Sequence, residues 1–352
     1  MRNTMKLNVK ITIAAVIILM TACKPKLSTD SFSVDGGIDS LQITASGIFQ
    51  PVPKQANNPE NPITAEKVAL GKMLYYDTRL SMKGNNSCNS CHNLSTFGVD
   101  NKAFSIGDDG LPGGRNSPTV LNAALHTTQF WDGRAKDVEE QAGMPIMNPV
   151  EMHMPSKALV EDRLKKDENY KKLFAAAFPN DKNAVSYGNL EKAIGAFERT
   201  LITPSKFDEY LAGKANALTK EEKEGLDLFM KTGCTTCHAG VALGGQMFQK
   251  FGIYGNYWDL TKSAKVDSGK ITISKNAADL YVFKVPSLRN AEKTGPYFHD
   301  GSVADLNKAI SIMAKAELNK TLSDAEAKSI ATFLKTLTGK VPEDATKNPF
   351  LK

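Results

Sequence analysis

Apolar residues first recur at helical spacing from Thr64 onward, where Ala65, Val68, Ala69, Met73 and Tyr76 fall on one face. Thr64 stands before them as a cap and Glu66 sits in the first turn, so the pattern predicts a helix ending near Tyr76. Residues 98–118 hold many glycines and aspartates and two prolines, and predict a loop. Helical stretches follow near 156–178 and 187–202, and residues 203–218, with Pro204, form a junction. Thr219 and Glu222 have capping-box spacing and open a helix to about Met230, with Leu226, Phe229 and Met230 on one face. Ser323 and Glu326 repeat that box before a last helix toward Leu337. Strand-like runs are few, the best being Lys270–Ser274 and Leu280–Val285. The pattern predicts a mainly α fold.

The amino terminus follows different rules. Arg2, Lys6 and Lys10 form a basic start, Ile11–Met20 is apolar, and Thr21-Ala22-Cys23 follows. Residues 1–22 predict a signal peptide for export rather than part of the fold. The small residues before Cys23 resemble a bacterial lipoprotein cleavage site, which makes Cys23 an acylated membrane anchor and residues 23–57 a tether and lead-in. Periplasmic placement on a bacterial membrane follows, with Lys24 favouring the outer one. Beyond this segment no apolar run is long enough to cross a bilayer.

Composition is that of a globular protein, with 41% hydrophobic and 23% charged residues in 352. Three of the net six positive charges leave with the signal, on Arg2, Lys6 and Lys10, so the mature chain carries +3. No block of lysine or arginine suited to a phosphate backbone appears, which excludes nucleic acid as the partner.

Of the five cysteines, Cys23 belongs to the signal. The other four form Cys88-Asn-Ser-Cys91-His92 and Cys234-Thr-Thr-Cys237-His238, two copies of the haem c attachment signature. Two thiols add across the two vinyl groups of one porphyrin, and the adjacent histidine becomes the proximal iron ligand. A redox C-x-x-C needs no following histidine, and the two pairs stand too far apart in sequence for an ordinary zinc site. Each motif follows a predicted helix. The chain therefore reads as two haem-bearing halves, 58–205 and 206–352, forming two cytochrome c-like domains packed around a shared interface.

Haem attachment alone does not separate an enzyme from an electron carrier. Arg115-Asn-Ser-Pro-Thr-Val-Leu-Asn122, Gln129-Phe-Trp-Asp-Gly-Arg-Ala135, Glu140-Gln141-Ala142 and Asn148-Pro-Val-Glu-Met152 resemble segments of the bacterial dihaem cytochrome c peroxidases. Phe283-Lys-Val-Pro-Ser-Leu-Arg-Asn290 and Gly295-Pro-Tyr-Phe-His-Asp-Gly301 do the same, so the resemblance runs over roughly residues 45–345. It implies a peroxidatic haem in the first half and an electron-transfer haem in the second. Glu151 matches the distal acid–base that moves a proton between the peroxide oxygens, and Gln141 a distal hydrogen-bonding residue. Trp131 matches the aromatic residue between the haems. Met313, on a helical face with Leu306, Ala309 and Ile310, matches the distal ligand of the second haem, with Met247 as the alternative. His299 is expected near the interface, in reach of a haem propionate. Asn116, Thr294 and Pro296 match a calcium site between the domains.

One departure from the family matters. Many members carry a histidine in the loop after the first haem motif, which caps the peroxidatic iron until activation. In Ser105-Ile-Gly-Asp-Asp-Gly110 that position is Asp108. The first haem is therefore expected to be open without prior reduction, with His126 and His153 as the remaining histidines that would have to substitute. The expected reaction is reduction of hydrogen peroxide to water, with electrons from a small c-type cytochrome or a cupredoxin, in what is often a homodimer. A MauG-type dihaem oxidase acting on a partner protein is the second reading. That branch has tyrosine where Met313 stands. A non-enzymatic dihaem electron carrier is the third.

Overall fold

A computed structural model of the chain describes residues 39–351. The predicted signal, Cys23 and the tether up to residue 38 lie outside the described residues. Helix α1 (Ser40–Ile48) lies in the lead-in, and the first half contains α2 (Ala65–Tyr76), α3 (Cys88–Cys91), α4 (Val138–Met147), α5 (Lys157–Lys165), α6 (Glu168–Ala177) and α7 (Tyr187–Glu198). The second contains α8 (Lys206–Leu211), α9 (Lys220–Thr232), α10 (Tyr257–Thr261), α11 (Ile271–Ser274), α12 (Leu306–Leu318), α13 (Asp324–Lys335) and α14 (Glu343–Thr346). The mainly α expectation holds, and no helix among the described residues is long and apolar enough to cross a membrane.

The helix that leads into each haem motif begins where the caps indicate. Thr64 accepts the Lys67 N–H at 3.2 Å, and Thr219 and Glu222 close their reciprocal box before α9. Each of these helices then crosses the last long helix of its own half at a glycine. A Cβ on Gly71 of α2 would collide with the Ala193 carbonyl of α7, and one on Gly225 of α9 with the Ser329 carbonyl of α13. Backbone meets backbone there because neither glycine has a side chain to hold the helices apart. Both halves thus use the same crossing to set a haem motif against a terminal helix.

Each half has its own apolar core. Leu70, Leu74, Tyr75, Phe174 and Phe197 anchor the first, and Phe207, Leu226, Phe229 and Phe333 the second. The ends of the described chain cross between them. Helix α1 lies in the stretch read as an extended lead-in, and it places Ala45 and Phe49 in the second core, Phe49 meeting Phe207 edge-on at 5.5 Å. Helix α14 returns Ala345 to the first core, where its carbonyl accepts the Tyr76 hydroxyl at 2.8 Å.

Two elements differ from the sequence pattern. The stretch 156–178 is broken into α5 and α6 because Asp167 caps the second helix, accepting the Asn169 and Tyr170 N–H groups. Lys270–Ser274 contains a single helical turn rather than a strand. Its β-branched residues are too few to form a ladder without a partner. Val282–Lys284 is a strand, β2, paired antiparallel with Phe248–Lys250, β1, so that Gln249 faces Phe283.

Candidate active site

The haem motifs are built from short turns. Helix α3 is one turn whose box uses Ser87 and Ser90, and Cys88 and Cys91, three residues apart, project from the same face. His92 caps it. Its Nδ1 donates to the Pro118 carbonyl at 2.9 Å, and the Tyr75 hydroxyl donates to the His92 carbonyl at 2.6 Å. In the second half the chain leaves α9 through Gly233, in the left-handed region at φ 99°, and turns through Cys234–Thr236. His238 Nδ1 donates to the Leu243 carbonyl at 3.1 Å. Burial lowers the pKa of His92 and pushes that of His238 down to about 4. A neutral imidazole oriented through Nδ1 with Nε2 free is the form that binds iron.

The residues present fit haem c. One cavity is lined by Cys234, Cys237, His238 and Met313, with apolar Leu306 and Ile310 among its walls, and by Asn116 and Trp131 of the first half. Met313 therefore shares the cavity of His238, whereas Met247 is exposed and contributes nothing to it. The four cysteines form no disulfide. Among the described residues no three His, Cys, Asp or Glu side chains gather as they would around zinc.

Glu151 lies in the turn after α4, and that turn folds back along the helix. Met152 N–H donates to Pro145 and Met154 N–H to Ile146. Gln141 sits in the first half of α4 and is half-buried. Burial raises the Glu151 pKa, while the Arg134 charge and a hydrogen bond from Asn148 act against it. The Glu151 charge is close enough to help raise the Cys91 thiol.

Asp108 is 3% exposed, and its carboxylate accepts the Lys83 N–H at 2.6 Å and the Asn85 N–H at 3.2 Å. Its own N–H donates to the Glu151 carbonyl at 2.7 Å. The loop residue is thus a structural anchor under Glu151, a role the sequence did not suggest. His153 is half exposed and meets Asp109 at 2.5 Å, and His126 lines the cavity of His238 and Met313, 3.3 Å from Lys284 Nζ.

Trp131 joins the two halves. Its Nε1 donates to the Asn116 carbonyl at 2.9 Å, Asn116 N–H donates to the His299 carbonyl at 2.7 Å, and Lys284 N–H donates to the Trp131 carbonyl at 2.7 Å. Asn116, Thr294, Pro296 and His299 all line the same cavity as Met313. His299 Nε2 is buried without a hydrogen-bond partner, an orphan polar atom of the kind a haem propionate would satisfy. Arg115 adds a bidentate pair with Asp267 and a further bond to Asp132.

An internal repeat underlies this interface. Pro118-Thr-Val-Leu-Asn122 recurs 168 positions later as Pro286-Ser-Leu-Arg-Asn290, and Phe130-Trp-Asp-Gly133 as Phe298-His-Asp-Gly301. The copies share their backbone. Asn122 and Asn290 both have φ 61°, and the bridge Gln129–Ala135 matches Tyr297–Val303. Pro118 and Pro286 each turn a carbonyl to a proximal histidine, His92 and His238 respectively. Comparing the two halves of the sequence at this offset would have exposed the repeat.

Comparison with known proteins agrees with this arrangement. A family profile described as di-haem cytochrome c peroxidase matches residues 65–216. The cytochrome c551 peroxidase of Pseudomonas aeruginosa is 44% identical over 306 residues, 86% of this chain and 88% of that protein. The one from Nitrosomonas europaea is 46% identical over 305 residues, 86% of this chain and 87% of that one. A crystal structure of a MauG-like protein associated with microbial copper homeostasis superposes with a TM-score of 0.75 at 31% identity, covering 85% of this chain and 97% of that one. With two haem c motifs, a repeated interface loop and this degree of likeness over most of its length, the chain belongs to the di-haem cytochrome c peroxidase family.

Proposed function

We propose that this chain reduces hydrogen peroxide to two waters, taking two protons and two electrons, the electrons coming from a small c-type cytochrome or a cupredoxin. The observation that carries the reading is a half-buried carboxylate, Glu151, held beside the Cys91 end of a haem motif by a loop that contains no histidine. Haem c, held by Cys88, Cys91 and His92 in the first half and by Cys234, Cys237, His238 and Met313 in the second, supplies peroxide binding and one-electron chemistry when bound.

The protein's own part is proton handling and orientation. Glu151 takes a proton from one peroxide oxygen and returns it to the other, so that water leaves. Gln141 orients peroxide by a hydrogen bond. Trp131 passes electrons between the halves, its ring fixed by the bond to Asn116. Asp108 stays on the Lys83 and Asn85 amides, which supports a first site open in the oxidised protein. His299 faces a propionate. A calcium ion is held by Asn116, Thr294 and Pro296. The amide of Asn116 donates to Lys102, which leaves Oδ1 for the ion. The chain acts in the periplasm, anchored through acylated Cys23, and as a homodimer.

A MauG-type oxidase is the second reading. Methionine rather than tyrosine in the cavity of His238 favours the peroxidase. Steady-state peroxide consumption with a reduced c-type cytochrome tests the choice. Turnover supports it, and its absence with both cytochrome and cupredoxin overturns it.

A further inference from the structure

A ladder of aromatic rings leads from Trp131 away from the first haem motif. Trp131 meets His299 edge-on at 6.3 Å, and His299 meets Tyr257 at 5.1 Å. Tyr257 is fully buried, with its hydroxyl on the backbone of Asp267. Its ring is 5.1 Å from Trp258, and Trp258 is 5.0 Å from Tyr281. Trp258 and Tyr281 are both partly exposed. Neighbouring residues leave an apolar surface, with Tyr254 54% and Leu280 39% exposed. Indole and phenol are the two side-chain rings that give up an electron most readily, and Tyr257, Trp258 and Tyr281 succeed one another with ring centroids 5.1 and 5.0 Å apart, the His299 imidazole bridging Tyr257 to Trp131. Phe251 stacks on Tyr257 at 4.9 Å.

We propose that Trp258 and Tyr281 form a second oxidation site, at which small uncharged phenols are oxidised one electron at a time. This rests on the peroxide-reducing reading above, which supplies the oxidant. An electron moves inward from Tyr281 or Trp258 through Tyr257 and His299 to Trp131, and a phenol at the surface replaces it. Each phenol loses one electron and its hydroxyl proton and becomes a phenoxyl radical. Two phenols supply the two electrons and two protons that convert one peroxide to two waters. The partly exposed indole and phenol, with exposed Tyr254 and Leu280 close by in the chain, favour a neutral aromatic ring over a charged reductant.

The test uses the double variant Trp258→Phe/Tyr281→Phe of the haem-loaded protein, with Tyr257→Phe as a second break in the ladder. Peroxide turnover is measured with reduced cytochrome and, separately, with 2-methoxyphenol. Peptide mass spectrometry after peroxide treatment without donor locates oxidised side chains. Expected results are unchanged cytochrome-driven turnover in the double variant and a loss of about tenfold or more with the phenol. Oxygen addition should appear at Trp258 and Tyr281 in the parent and disappear from Trp258 in Tyr257→Phe. Equal phenol turnover in parent and variants, or oxidation confined to residues outside the ladder, overturns the site. Absence of cytochrome-driven turnover in the parent is a different result, since it removes the underlying peroxidase reading and the oxidant with it.

Discussion

Trp131 and His299 occupy the same position in two copies of one loop, and they meet edge to face with ring centroids 6.3 Å apart. The duplicated loop brings a proline carbonyl to each proximal histidine and an aromatic ring from each half to the interface between them. One copy became an indole and the other an imidazole. On the proposed reading, the indole carries electrons between the two haems. Trp131→Phe keeps the packing but removes both the oxidisable ring and the bond to Asn116. Cytochrome-driven turnover should fall by about tenfold to a hundredfold, with the haem spectra unchanged. Stopped-flow reoxidation of the second haem by peroxide reads the step directly, and an unaltered rate would remove Trp131 from the path.

Glu151→Gln should lower peroxide turnover by about a hundredfold or more, the scale of a lost general acid–base. Burial raises the Glu151 pKa, so as a base it becomes competent only as pH rises through that raised value. The acid limb of kcat/KM should therefore lie above the ordinary carboxylate range, and in the glutamine variant that limb should vanish. Replacing Arg134, whose charge opposes the shift, should move the limb to still higher pH.

With Asp108 anchored to the amides of Lys83 and Asn85, the oxidised enzyme should turn over peroxide at once, with no reductive preincubation and no lag. A high-spin signal from the first haem in the oxidised state accompanies this. Asp108→Ala takes their acceptor from two part-buried amides, at about 1 kcal/mol each. It should lower Tm and slow turnover by loosening the Glu151 turn. A lag removed only by reductant would contradict the open-site reading.

Gly71→Ala and Gly225→Ala each force apart a pair of helices whose backbones touch. Each should cost about 1–3 kcal/mol, typical of overpacking, and more where the helices cannot shift. Thermal unfolding with haem-stain quantification measures the loss. Because each crossing sets one haem motif, each variant should impair haem attachment chiefly in its own half.

Glu198 is 3% exposed, and its pKa is raised to about 8, first by burial and then by the Glu139 charge, with Arg199 opposing. A carboxyl raised in the folded state holds its proton where the unfolded chain has lost it. The stability it contributes is present in full below the unfolded pKa and is lost as pH rises toward 8. Glu198→Gln should flatten this fall and raise Tm above pH 7. Unfolding scans across that window check it, and identical slopes in parent and variant would exclude Glu198 as the source.

Much of the molecule was legible in one dimension. Helices with strong caps, such as those opened by Thr64, Thr219 and Ser323, appear where the pattern places them, because a capped amphipathic helix is specified by a few adjacent residues. Short elements were read less well. The turn at Ile271–Ser274 resembles a strand in composition, and β1 has no pattern of its own, because three-residue elements take their form from neighbours distant in sequence.

The sequence by itself determined the haem chemistry, since two thiols and a histidine within five residues suffice to state it, and it determined the mainly α class through helical periodicity. Tertiary structure alone decided which distant groups meet. It gave Asp108 to the Lys83 and Asn85 amides rather than to solvent, chose Met313 over Met247 for the cavity of His238, and turned Trp131 onto His299. The physical reason is range: attachment motifs and caps act through covalent neighbours, whereas burial, buried hydrogen bonds and ring contacts depend on segments brought together only after both halves have folded.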